Sequence, residues 1–187
     1  MATDISKAEW DATRFVAKEN LLRIVQKEAQ DFFTLADAPE NWKMPTTAGH
    51  WQVRDIVAHI VDTTEGYIQR FETTHGGGIP EGIAPLSEMS HNADRFAQEL
   101  RDTPRAELLA RLHTAFETAM TMFDGIGARD WDSFMVVHAY MGPSPAFFYP
   151  SASSWTMECM VGTCVRACRW PTSWIQTRPT CWFPSCL

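Results

Sequence analysis

Residues 1–150 hold no cysteine, while residues 151–187 hold no histidine and one acidic residue, Glu158. A cysteine-free body excludes a disulfide framework as the source of its stability. No apolar run approaches the roughly 18 residues that a membrane span requires, and no secretory leader precedes the first helical pattern. The expectation is a cytoplasmic protein without a membrane partner. Excess positive charge is also missing: 16 Lys and Arg stand against 23 Asp and Glu, for a net charge of −7. On charge alone, nucleic acid and anionic membrane surfaces are excluded as partners.

What is present divides at Ser151. All five cysteines and four of the eight tryptophans follow that point, and all six histidines precede it. Residues 1–150 read as one acidic helical domain, large enough to bury a core. Residues 151–187 carry no sustained apolar period and read as an aberrant, poorly ordered tail.

Three helices are legible before the break, the third in two stretches. Ser6-Lys-Ala-Glu9 has capping-box spacing. It predicts a helix to about Leu35, with Phe15, Leu22, Val25, Ala29 and Phe32/Phe33 inward. A loop bounded by Pro39, Pro45 and Gly49 follows. The second helix starts near Trp51, with Val53, Ile56, Val57, Ile60, Thr64, Tyr67 and Phe71 at three- and four-residue steps. His75-Gly76-Gly77-Gly78 ends it. A third stretch covers Leu86 to Leu100. The pattern resumes after Thr103-Pro104, a cap followed by proline at the first helical position, and runs to Phe123. A further helix is expected to begin near Pro145–Pro150, where the pattern stops. Little strand signal appears. The fold class expected is all-α, a four-helix bundle with its fourth helix disrupted by the tail.

The tail gains sense when read one base out of register. Each shifted codon takes the last base of one written codon and the first two of the next. Trp155-Thr156 then forces Asp, Met157-Glu158 forces Gly, and Cys159-Met160 permits only His or Tyr. The stretch can be read L-D-Y-G-V-H-G-W-D-V-R, continuing later as A-H-E-L-D-P-D-A-A-D-L-L-V-P. Both pieces are helix-like, and a base lost near codon 150 produces this offset.

His59 is the main candidate for chemistry. It lies about 60° from Ile56 around the second helix, at the margin of the apolar stripe. A neutral imidazole there is suited either to a divalent metal or to an ordinary boundary hydrogen bond. In the shifted reading, Asp and His stand four apart and share a helix face. With His59 they make two imidazoles and a carboxylate, leaving a position open for water or a thiolate. Asp55, Asp62 and Glu65 are candidate partners of His59 or solvated-face carboxylates. His113 falls among Leu109, Phe116 and Met120 as a packed histidine. His50, His91 and His138 have no local constellation and are expected on the surface or in loops, and Trp42 and Trp51 in packing. His75-Gly76-Gly77-Gly78 resembles a lipase oxyanion strand, but no Gly-x-Ser-x-Gly elbow accompanies it. Cys159, Cys164 and Cys168 lack paired zinc-ligand spacing. Ser185-Cys-Leu187 is only distantly like a peroxisomal ending.

Trp51-x-Val-Arg-Asp-Ile-Val-Ala-His59, the long first helix and Tyr140-Met-Gly-Pro-Ser-Pro-Ala-Phe-Phe-Tyr149 resemble the mycothiol-dependent maleylpyruvate isomerase family of DinB-like bundles. The resemblance covers about residues 10–150. It implies a zinc ligand at His59, completed by an acidic residue and a histidine four positions later on the last helix. The shifted D-Y-G-V-H fits that pair. It also implies mycothiol as thiol cosubstrate, a small-molecule substrate, and a metal that lowers the pKa of the bound thiol. Gln52 departs from the hydroxyl residue that often caps this motif. The remaining ligands are lost in residues 151–187, so the chain itself is expected to be metal-deficient and inactive. Exposed apolar helix faces are expected to favour self-association.

Overall fold

A computed structural model describes residues 7–80, 82–154 and 156. Its main elements are α1 (Lys18–Ala36), α2 (Val53–His75), α3 (Met89–Glu99), α4 (Arg105–Gly125), β1 (Met135–His138) and β2 (Gly142–Pro145). Residues 148–154 and 156 are again helical. The mostly helical fold agrees with the DinB-like expectation. α2 is the central element, packed against α3, α4 and β1, while α1 lies mainly against α4.

The first helix is shorter than its pattern suggested. Ser6 lies outside the described residues. Asp11 Oδ1 accepts both the backbone N–H (3.1 Å) and the hydroxyl (2.7 Å) of Thr13. This local turn competes with a continuing helix, so only short 3-10 turns precede Lys18. Phe15 is consequently 40% exposed instead of buried. Trp131 ties the segment back to the body by donating its indole N–H to the Ala12 carbonyl (3.0 Å).

The entry to α2 explains how Gln52 serves where a hydroxyl was expected. Asp55, at the third helical position, accepts the Gln52 backbone N–H at 2.8 Å. That is the return half of a capping box, satisfying a donor the helix cannot satisfy itself. α2 ends at His75, where Gly77 takes φ +76° in the turn that follows.

The core has two parts along the bundle. One gathers Phe32, Leu35, Ile56, Ile60, Leu108 and Leu112. The other joins Leu22, Phe71, Phe123, Trp131, Val136 and Tyr149. Each fully buried side chain of this size contributes about 1.5–3 kcal/mol. The stripes on α2 and α4 are therefore covered. The exposed large apolar residues lie elsewhere, at Phe15, Val16, Ile79, Ile83, Leu86 and Met141 among others.

The β1–β2 hairpin was not foreseen. It pairs antiparallel with Met135 opposite Pro145 and His138 opposite Gly142. Two prolines in β2 mask its strand signal, and a two-stranded ribbon with an edge tolerates them. His138, expected on the surface, is 6% exposed within this hairpin. Its Nδ1 accepts the backbone N–H groups of Tyr140 and Met141, both at 3.2 Å.

The terminal helix begins where the sequence placed it and carries past Pro150. That proline sits in the first turn, where its missing N–H costs no intrahelical bond. The helical conformation thus crosses the compositional break, in residues 151–154 and 156.

Candidate functional site

His59 occupies a seam on α2. At about 100° per residue, with Asp55 as zero, His59 lies about 40° round, Thr63 about 80° and Tyr67 about 120°. The face at Asp55 meets α3 and the residues just beyond it, because Arg101 Nη2 donates to Asp55 Oδ2 at 2.9 Å. The other face meets the terminal helical residues. Ser153 and Thr156 line one small cavity of about 10 Å3 with Ile60, Thr63, Thr64 and Tyr67. His59 falls between these two contacts.

The imidazole is half-buried, and its Nδ1 is covered without a hydrogen-bond partner among the described residues. Burial pushes its pKa down to about 4, so the ring is neutral at physiological pH and keeps a lone pair. A neutral ring with an unsatisfied nitrogen is what a metal ligand requires. Trp51 packs against it, with ring centroids 5.3 Å apart and planes at 54°. The Trp51 indole N–H donates to Asp94 Oδ1 at 2.7 Å, and His50 Nε2 approaches the same oxygen at 2.9 Å. The Trp51 hydrogen bond is the main reason the Asp94 carboxyl is held below its ordinary 3.8. His50 therefore has a constellation after all. Asp94 went unnoticed because α3 brings it across from 43 positions away.

The three carboxylates near His59 in sequence have other duties. Asp55 is fully buried, neither a solvated-face group nor a partner of His59, and pairs with Arg101. Glu65 receives Arg111 through two bonds, at 3.1 and 2.8 Å. Asp62 has its pKa raised, first by burial and then by Glu65 and Glu99. His113 packs on Phe33 at 4.3 Å, as its neighbours suggested. His91 is exposed. Trp42 packs under the Arg105 guanidinium at 5.5 Å.

One donor does not complete a zinc site. Among the described residues no group of three His, Cys, Asp or Glu side chains is placed to hold an ion. His59 fits as one ligand, and the described chain supplies no set around it. Cys159, Cys164, Cys168 and Ser185-Cys-Leu187 lie outside the described residues.

Residues 23–161 match the mycothiol maleylpyruvate isomerase N-terminal domain. The chain belongs to this family. No curated protein matches it. Solved structures share the fold, among them these two. One is the colibactin self-resistance protein ClbS in complex with a dsDNA, with TM-score 0.68 and 14% identity over 82% of this chain and 96% of that one. The other is an uncharacterised protein from Escherichia coli UTI89, with TM-score 0.68 and 15% identity over 81% and 92% of the two chains.

The ClbS complex corrects the exclusion of nucleic acid drawn from net charge. A bundle of this same fold is solved on double-stranded DNA. Net charge is a sum over the whole surface, whereas phosphate contacts depend on the local placement of cations and backbone N–H groups. In membranes the expectation has a narrower basis: among the described residues no helix is long and apolar enough to cross one.

Proposed function

We propose that this bundle descends from a zinc-dependent, mycothiol-using enzyme of the maleylpyruvate isomerase type, working in the cytoplasm, and that the present chain keeps His59 as its one remaining ligand. The observation that carries this reading is the covered, unpartnered Nδ1 of His59 on the α2 seam. A second relationship supports it. Tyr149 meets Tyr67 and Phe71 at 5.0 and 4.8 Å, whereas Thr156 lies with Ile60 and Thr63. The terminal helix therefore runs antiparallel to α2 and advances toward the level of His59. In the shifted reading, Asp arises from the codons of Trp155 and Thr156 and His one turn later. Their places on an extended helix suit ligands facing His59.

As written, those positions carry no such pair. Metal affinity is then weak, and the thiol activation that zinc supplies when bound is lost. The test is elemental analysis of the purified chain beside a version with one base restored near codon 150. Substoichiometric zinc is expected in the first and one zinc per chain in the second, lost on His59→Ala. Stoichiometric zinc in the unrestored chain, abolished by His59→Ala, would contradict the reading.

A binding role without metal chemistry is the second reading, drawn from the fold neighbour solved with dsDNA. A restored bundle that takes up no divalent metal but shifts the anisotropy of labelled duplex DNA in a salt-dependent way favours it. A metal-dependent hydrolase or transferase using another thiol, or none, is separated by assaying the zinc-loaded restored protein with and without mycothiol.

A further inference from the structure

The Asp11 turn that cuts the first helix short leaves Phe15 and Val16 facing outward, 40% and 57% exposed. Phe15 is nevertheless held. Its ring stands edge-on to Trp131 at 6.0 Å, and the Lys18 ammonium lies 5.5 Å over it. Lys18 is itself anchored, donating to the Ile126 carbonyl at 2.9 Å. An exposed aromatic ring that is already ordered loses little entropy on burial, which suits it to anchor an interface.

Phe15 and Val16 line an open groove of about 920 Å3 between α1 and the end of α4. Leu22 and Met120, mostly covered, form its apolar base, while Glu19, Arg23 and Gln26 stand exposed along its α1 side. Charge on this face is balanced, with Lys18 and Arg23 against Glu19 and Asp124. A partner of one strong sign therefore finds no net attraction here.

The order along α1 is symmetric about the level of Leu21. Val16 and Gln26 are equally far from it in the chain, and so are Glu19 and Arg23. A two-fold axis at that level sets two copies of α1 antiparallel. Each Glu19 then faces the partner's Arg23, and each Val16 faces the stem of the partner's Gln26. Within one chain Arg23 turns elsewhere: its Nη2 donates to Asn20 Oδ1 at 3.4 Å.

We propose that this groove is the interface of a two-fold homodimer, with a second copy of the chain as its occupant and Phe15 and Val16 as its apolar anchors. The face matches itself in charge and in order, as an isologous contact requires.

The test is sedimentation velocity on the full chain from about 1 to 300 µM, since a dimer forms by mass action. The weight-average mass should climb from 21.2 kDa toward twice that and stop there. Val16→Glu, at a site too exposed to disturb the core, should raise the dimer Kd at least about tenfold, with far-UV circular dichroism unchanged. Glu19→Arg and Arg23→Glu should each raise it about threefold to fivefold, and the two together should restore it. A dimer indifferent to Val16→Glu overturns the proposal, as does a double variant that recovers nothing. So does growth beyond the dimer, or a chain that stays monomeric throughout, whether residues 157–187 or a different protein fill the groove.

Discussion

Trp51, just ahead of α2, and His59 within it meet indole against imidazole at 5.3 Å, with the indole held in place by Asp94. Trp51 is thus more than packing. It shields His59, and an anionic acceptor on α3 fixes its ring. Charge-assisted bonds of this kind are about twice as strong as neutral ones.

Asp94→Asn should loosen Trp51 without unfolding the bundle, and a red shift in tryptophan emission on the variant checks this. The pH dependence has a definite sign. The Asp94 pKa is depressed in the fold, so its contribution is complete above the ordinary 3.8 and is lost as pH falls through the lower folded value. The wild-type emission should change only in that acid range. A variant with an unchanged spectrum counts against the coupling.

His59 makes the opposite kind of acid dependence. Its pKa is lowered from 6.5 to about 4 in the fold, whereas the unfolded ring takes up a proton near 6.5. The stabilisation from keeping it neutral is complete above about pH 6.5 and declines between pH 6.5 and 4. The loss is on the order of 3 kcal/mol. Tm measured across that range should fall more steeply for wild type than for His59→Gln. An imidazole titration by NMR with a midpoint near 6.5 would refute it.

Asp55→Ala removes a fully buried carboxylate and leaves Arg101 and the Gln52 N–H without their acceptor. Breaking such a pair costs about 3–5 kcal/mol, toward the lower end here because Arg101 keeps 27% of its side chain exposed. Urea denaturation should report about 3 kcal/mol for Asp55→Ala. Adding Arg101→Met should recover part of it, and a loss below about 1 kcal/mol would remove Asp55 as the anchor of α2.

Tyr149→Phe tests the junction of hairpin and terminal helix. The phenol donates to the buried Val136 carbonyl at 3.1 Å, and the variant leaves that acceptor unsatisfied. A loss of about 1–3 kcal/mol is expected, read by thermal unfolding. Trp131→Ala, opening a cavity at a residue 1% exposed, should cost about 3–5 kcal/mol.

Much of this could be read in advance because helices announce themselves locally. The periodic stripe of Val53, Ile56, Val57, Ile60 and Phe71 gave α2 its face, and Gly76 and Gly77 gave its end. The Trp51-to-His59 spacing pointed to the family. His59 was found as a single residue because its position on the helix depends only on its own neighbours in the chain. Asp11, by contrast, cut the first helix short through a side-chain turn that periodicity does not register.

Sequence by itself determined the helical class, the boundaries of α2, α3 and α4 within a few residues, the family and the compositional break at Ser151. Those are consequences of short-range patterns. Only the tertiary structure decided that Asp94 holds Trp51, that Arg101 claims Asp55, and that His138 is buried in a hairpin. Each depends on which remote helix arrives alongside, and long-range pairing of that kind leaves no period in the chain.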